Sequence, residues 1–251
     1  MLIDSHCHVL SSEYENVDEV IANSLNNGVD KLIINGYDLK SSKEAVALAN
    51  RYKNVYAAVG IGPENIDNVD DDVINEIKHL LDNEKTVAVG EIGLDYYWTT
   101  NNKEKQIEIF KKMVFLASSK KLPVIVHNRN ATNDVYNILK ENKVTGIIHC
   151  FSGSVEVAFQ FIKLGFLIGI GGVVTFKNSQ KIKDVVKSIP ISSISLETDS
   201  PYLSPEPYRG KRNDPAKIIY VARKVAELKN VDLPLVLKET GDAVSRKFDL
   251  K

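Results

Sequence analysis

Leu2-Ile3-Asp4-Ser5-His6-Cys7-His8 opens the chain with a short apolar run that leads directly into two histidines. An open, doubly wound α/β sheet usually follows its first strand with a glycine-rich phosphate-binding turn. Ser5-His6-Cys7-His8 stands in that place here, which argues for another way of closing the sheet. Outward from this stretch, runs rich in Ile and Val recur at residues 31–35, 55–59, 86–90, 123–126, 145–148, 166–170 and 193–197. Together with residues 2–5 they predict eight strands. Segments of helical spacing lie between them: Val73, Ile77, Leu80 and Leu81 follow a three-to-four-residue period, as do Ile107, Phe110, Val114 and Ala117. Asn133-Asp134 before Val135 and Asp214-Pro215 before Ala216 suit helix starts, and Gly28 and Gly165 suit helix ends. Residues 220–247 read as helical throughout and are expected to complete an outer ring.

Strands apolar at consecutive positions are buried on both faces, and alternation with helices implies parallel pairing through right-handed crossovers. Eight such units in a 251-residue chain predict an α/β fold of the (β/α)8 TIM-barrel type, one domain over residues 1–251. With 43% hydrophobic and 26% charged residues, the composition excludes disordered, collagen-like and coiled-coil classes. A net charge of −1 excludes coating of nucleic acid by overall positive charge, so a polyanion must meet a local patch or a metal. Two cysteines, Cys7 and Cys150, make no disulfide framework and point to a reducing compartment. The first residues lack the basic-then-apolar pattern of a signal peptide, and the weakly polar run 165–176 is too short and glycine-rich to span a bilayer. A cytoplasmic monomer without membrane contact is the expectation.

Polar residues at the predicted strand ends carry the chemistry. His6 and His8 follow the first strand, Glu91 the fourth, His127 the fifth, His149 the sixth and Asp199 the eighth. The C-terminal strand ends of a barrel share one mouth, where active sites are built. On an extended segment His6 and His8 point the same way while Cys7 turns aside, so the pair can grip one ion. Taken alone, His127 or His149 is ordinary as a hydrogen-bonded core histidine, and Asp199 as a turn cap. Taken together, so many ionisable groups are costly to bury without a counter-ion. Glu91, between Gly90 and Gly93, has two oxygens and can bridge two cations. His79, on a helix, reads as a surface residue.

Five segments resemble the TatD-like metal-dependent hydrolases, the family of the TatD deoxyribonucleases: Asp4-Ser5-His6-Cys7-His8, Gly90-Glu91-Ile92-Gly93-Leu94-Asp95-Tyr96, His127-Asn128-Arg129-Asn130-Ala131, His149-Cys150-Phe151-Ser152-Gly153 and Glu197-Thr198-Asp199-Ser200-Pro201-Tyr202-Leu203. Gly210-Lys211-Arg212-Asn213-Asp214-Pro215 is similar to a further segment of that family. Ser5, where Thr is common, is a mild departure that leaves the ligands in place. The resemblance implies a two-metal site in which His6, His8 and Asp199 hold one divalent ion, His127 and His149 the other, and Glu91 bridges. It implies hydrolysis of DNA phosphodiester bonds, often from an end; some relatives act instead on aminoacyl-tRNA, which makes D-aminoacyl-tRNA or another ester or amide the alternative substrate. A non-catalytic protein keeping the cage for stability is the remaining alternative.

Such a site activates water between two ions, with Asp199 expected to orient it and take its proton, alongside the bridging Glu91. Glu197 supports Asp199 from behind or is structural. Imidazole and carboxylate together suit zinc, manganese or another first-row dication, with magnesium a possibility in assays. Substrate contacts are expected from Arg129 on a phosphate, from Ser152 and its neighbours at a helix start, and from the basic cluster Arg209, Lys211 and Arg212. Tyr97, between Tyr96 and Trp98, offers a base-stacking surface. Gly169-Ile170-Gly171-Gly172 reads as tight packing at a strand end rather than a phosphate loop.

Overall fold

Each apolar run becomes a parallel strand, and the strands pair strictly in chain order. A computed structural model describes residues 1–67 and 69–251. The strands are β1 (Ile3–Cys7), β2 (Lys31–Asn35), β3 (Val55–Val59), β4 (Thr86–Asp95), β5 (Val124–Arg129), β6 (Gly146–Ile148), β7 (Leu167–Ile170) and β8 (Ile194–Leu196). The helices α1 (Val17–Asn26), α2 (Leu39–Arg51), α3 (Asp71–Leu80), α4 (Lys103–Lys120), α5 (Thr132–Asn142), α6 (Val155–Lys163), α7 (Gln180–Ser188) and α8 (Ile218–Lys229) alternate with them, and α9 (Leu233–Phe248) follows. This is the eight-unit α/β barrel that the sequence predicts. No helix among the described residues is long and apolar enough to cross a membrane.

Two apolar layers hold the fold. The larger lies between strands and helices and includes Leu32, Ile34, Ala57, Val89, Val124 and Val126 with Phe110, Met113, Phe161 and Val225. The smaller joins residues of β1 to β7, among them Ile3, Ile33, Tyr56, Val87, Ile125, Ile147 and Leu167, to Ala243, Val244 and Phe248 of α9. α9 therefore plugs the end of the barrel opposite the mouth. The expectation of one helical stretch over 220–247 is corrected accordingly. Asn230, left-handed at φ 53°, ends α8, and the Asp232 carboxylate caps α9 by accepting from Leu235 N. α5 likewise starts at Thr132 rather than at Val135, with no side-chain cap.

The seam between β8 and β1 is short of strand pairing and is closed by side chains and loops. Ser195 Oγ donates to Ser5 Oγ (2.6 Å), and Ser5 Oγ donates to the Leu196 carbonyl (3.0 Å). The buried Asp4 carboxylate accepts from Thr198 N (3.0 Å) and Thr198 Oγ1 (2.5 Å). Just above, Asp199 N donates to the His6 carbonyl and His8 N to the Ser200 carbonyl, at 3.0 and 2.7 Å.

Candidate active site

Strand length decides where the ligand-type residues stand. β4 and β5 run past the predicted ends at Gly90 and Val126, and their extensions pair as Ile92 with Val126, Gly93 with His127, Leu94 with Asn128 and Asp95 with Arg129. His127 is thus held in the β4–β5 ladder rather than by a loop, and Glu91, at the irregularity between Val89 and Ile92, is fixed by its own N–H donating to the Gly36 carbonyl at 2.7 Å. Gly93 makes the pairing possible: its φ is +148°, and a Cβ there would lie 2.0 Å from the His127 carbonyl oxygen. Cys150 (φ 44°) and Asp199 (φ 54°) are left-handed, and both turn the chain out of a strand at the mouth.

The six residues singled out in the sequence converge. Glu91 divides its carboxylate between two pairs of histidines. Oε2 lies 3.4 Å from His6 Nε2 and 3.3 Å from His8 Nε2. Oε1 lies 2.9 Å from His127 Nδ1 and 3.1 Å from His149 Nε2. Asp199 Oδ1 joins the first pair at 3.5 Å from His6 and 3.7 Å from His8. Three groups, His6–His8–Glu91, Glu91–His127–His149 and His6–His149–Asp199, each have candidate ligand atoms within 4.8 Å of one another. Ring nitrogens also face each other: His6 Nε2 and His8 Nε2 are 3.1 Å apart, and His127 Nδ1 and His149 Nε2 are 3.3 Å apart. Such a donor set fits divalent cations, which would satisfy every member at once.

Acceptors behind the imidazoles fix their orientation, as is usual for metal-binding histidines. His8 Nδ1 donates to the Asn35 carbonyl at 2.9 Å, and His127 Nε2 meets Asp95 Oδ2 at 3.0 Å. His149 Nδ1 points toward Glu197 Oε1, 3.9 Å away. Glu197 is fully buried, accepts from Cys150 N at 2.5 Å, and rests on Gly169, where a Cβ would come within 2.6 Å of Oε2. The tight-packing expectation for Gly169 therefore holds, and the residue it accommodates is Glu197.

Protonation follows from this enclosure. Burial alone would raise the Glu91 carboxyl, yet the charge of His149 and hydrogen bonds from His127, His149 and His6 hold it well below the usual carboxylate range. Burial opposes protonation of His8 and His127, but Glu91 outweighs it for His8, at about 9, and Asp95 and Glu91 for His127, at about 10. His6 goes the other way, lowered by burial and by the charge of His149. Burial raises the carboxyls of Asp199 and Glu197.

Above this centre lies a cavity of about 690 Å³. Arg129 and Ser152 line it, as expected for substrate contacts, together with Tyr37, Trp98 and Tyr202. Ser154, not Ser152, caps α6, so the Ser152 hydroxyl is not used in capping. Tyr97 packs beneath Arg129, whose guanidinium lies 3.7 Å from the Tyr97 ring centre and 5.3 Å from that of Trp98. Arg209, Lys211 and Arg212 are not brought to the cavity. Arg209 lies over Phe176, and Arg212 lies over Tyr14 and donates to the Glu13 carbonyl. Their segment acts as a brace instead. Asn213, next in the chain, donates to the Thr198 and Tyr202 carbonyls (3.0 and 2.7 Å) and so steadies the Asp199 loop. Asp4, Asp95 and Asn213 were not singled out from the sequence. All three stand in segments that resemble the family, Asp95 four residues beyond Glu91 in the same one.

A family model described as TatD related DNase matches residues 3–249. The chain belongs to the TatD-related DNase family. Among curated TatD relatives it is 41% identical to the "uncharacterized metal-dependent hydrolase YabD" of Bacillus subtilis, over 99% of each chain. It is 31% identical to the "uncharacterized metal-dependent hydrolase TatD" of Mycobacterium tuberculosis, over 91% of this chain and 90% of that one. The crystal structure of the TatD homologue YjjV from Escherichia coli superposes with a TM-score of 0.93 at 29% identity, covering 100% of this chain and 98% of that one.

Proposed function

We propose that the protein is a deoxyribonuclease, hydrolysing phosphodiester bonds of DNA within the metal-dependent hydrolase class that membership of the TatD family gives it. The observation that carries this is the divided carboxylate of Glu91, with one oxygen toward His6 and His8 and the other toward His127 and His149. A carboxylate shared in this way suits two dications, of which His6, His8 and Asp199 would hold one and His127 and His149 the other, with Glu91 common to both. When bound, such a pair polarises a phosphate oxygen and acidifies the attacking water. The imidazole-rich donor set favours zinc or manganese over magnesium, which prefers oxygen ligands.

This chain's own residues supply the rest. Asp199 hangs over the His6–His8 pair from a left-handed turn, and burial raises its carboxyl, so it is suited to orient the water and take its proton. Glu197, locked by Cys150 N, keeps His149 turned toward Glu91. Arg129, stiffened by Tyr97 and Trp98, pairs with a phosphate oxygen, and the Ser152 hydroxyl donates to another. The exposed faces of Tyr97 and Trp98 stack an unpaired base, a contact worth about 1–3 kcal/mol.

The test is incubation of the purified protein with single-stranded and duplex DNA and, separately, with D-aminoacyl-tRNA, each with added dication or chelator. Dication-dependent release of nucleotides, stopped by chelator, is the expected result. Turnover of the aminoacyl ester with DNA left intact would overturn the proposal.

A further inference from the structure

A second cavity, of about 410 Å³, adjoins the first. Pro63, Glu64 and Trp98 line both, and Asp95, Thr99, Asn102 and Gln106 complete it. Its floor is rigid. Gln106 is buried and forms three hydrogen bonds: Oε1 accepts from Asp95 N (2.9 Å), and Nε2 donates to the Asp95 carbonyl (2.9 Å) and to Asn102 Oδ1 (2.8 Å). The Asp95 carboxylate is occupied by Tyr97 N and by His127. What remains for a ligand is the Glu64 carboxylate, the Asn102 Nδ2 amide and the Thr99 hydroxyl proton, none with a hydrogen-bond partner among the described residues, and the indole of Trp98, which Arg129 also meets at 5.3 Å.

We propose that this second cavity is a nucleobase pocket selective for guanine. A flat aromatic wall beside a proline suits a planar ring. An exposed carboxylate accepts two adjacent donors best, and guanine alone among the DNA bases presents N1–H and N2–H side by side with the O6 acceptor beside them. Glu64 takes the two donors, and Asn102 Nδ2 donates to O6. Adenine sets a ring-nitrogen lone pair against the carboxylate, and a pyrimidine covers less of Trp98. Through Trp98 the pocket opens onto the catalytic cavity, so it receives the base of a nucleotide next to the phosphate held by Arg129. In that placement it rests on the phosphodiesterase proposal; as a base-binding site it is tested without cleavage.

Trp98 is the sole tryptophan of the chain and lines both cavities, so its fluorescence reports a base at either, and a matching loss of the preference in Asn102→Ala, whose side chain lines the second cavity only, assigns the signal to this pocket. Deoxyguanosine, deoxyadenosine and thymidine are each titrated into the full-length protein, and into Glu64→Gln. Expected is quenching by deoxyguanosine at about a tenfold lower concentration than by thymidine, with the gap closing in Glu64→Gln. Equal quenching by all three nucleosides, none at all, or an undiminished preference in Glu64→Gln overturns the pocket. DNA hydrolysis measured alongside separates the two proposals. Cleavage without nucleoside binding removes the pocket only, and selective nucleoside binding without cleavage supports the pocket while removing the nuclease.

Discussion

His127 Nε2 sits 3.0 Å from Asp95 Oδ2, and this contact turns Nδ1, not Nε2, toward Glu91. Asp95 therefore sets which nitrogen of His127 faces the centre, although it touches neither Glu91 nor another histidine. Asp95→Asn should weaken uptake of the ion served by His127 and His149 by about 10–100-fold while sparing the other. Competition with a chromophoric chelator measures this, and circular dichroism should be unchanged. Two equally weakened sites would contradict the assignment.

In the proposed hydrolysis Asp199 takes the proton of the attacking water. Asp199→Asn is expected to lower kcat by about 10²–10⁴-fold with the fold intact. Single-turnover kinetics beside a thermal melt separates lost chemistry from lost structure.

Metal uptake should release protons. In the metal-free protein His8 is raised to about 9 and His127 to about 10, so both are protonated at neutral pH, whereas a ligating imidazole must be neutral. Apparent affinity therefore rises with pH until those values are passed and falls as pH drops below them. His6, already lowered, adds nothing to the release. Calorimetry at pH 7 in buffers of different ionisation enthalpy should find about two protons released on full loading; none released would refute the sign.

Gly93→Ala should prevent folding or cost at least about 4 kcal/mol. A methyl group there needs φ +148° and meets the backbone carbonyl of His127 at 2.0 Å, in the ladder that holds His127. Soluble yield and urea denaturation are the measurements.

Arg129→Ala should raise KM for DNA more than it lowers kcat, and reduce the slope of log affinity against log salt by about one. Lys211→Ala, remote from the cavity, should leave both unchanged. Binding isotherms at several salt concentrations decide between them.

Most of the barrel was legible because burial on both faces leaves an unbroken apolar run, and β2 and β3 begin and end where those runs do. β4 did not end at Gly90: Glu91, Gly93 and Asp95 look like loop residues, and it is the pairing of Ile92 to Asp95 with β5 that carries the strand on. The break between α8 and α9 was hidden for the same kind of reason, since Asn230 and Asp232 are modest interruptions in a periodic pattern. The metal-ligand candidates were legible because histidine is scarce and strand ends share a mouth. The basic cluster misled because charge density says nothing about direction. Arg209 and Arg212 spend their guanidiniums on Phe176 and Tyr14. Asp95, Asn213 and Asp4 act through geometry that residue type does not encode.

The seam between β1 and β8 has a temporal consequence. His6 and His8 are made long before Asp199, which reaches them only across the seam, through contacts such as Asp4 with Thr198. A nascent chain that has not yet placed β8 thus presents only part of the donor set, and the remaining carboxylate arrives when the seam closes.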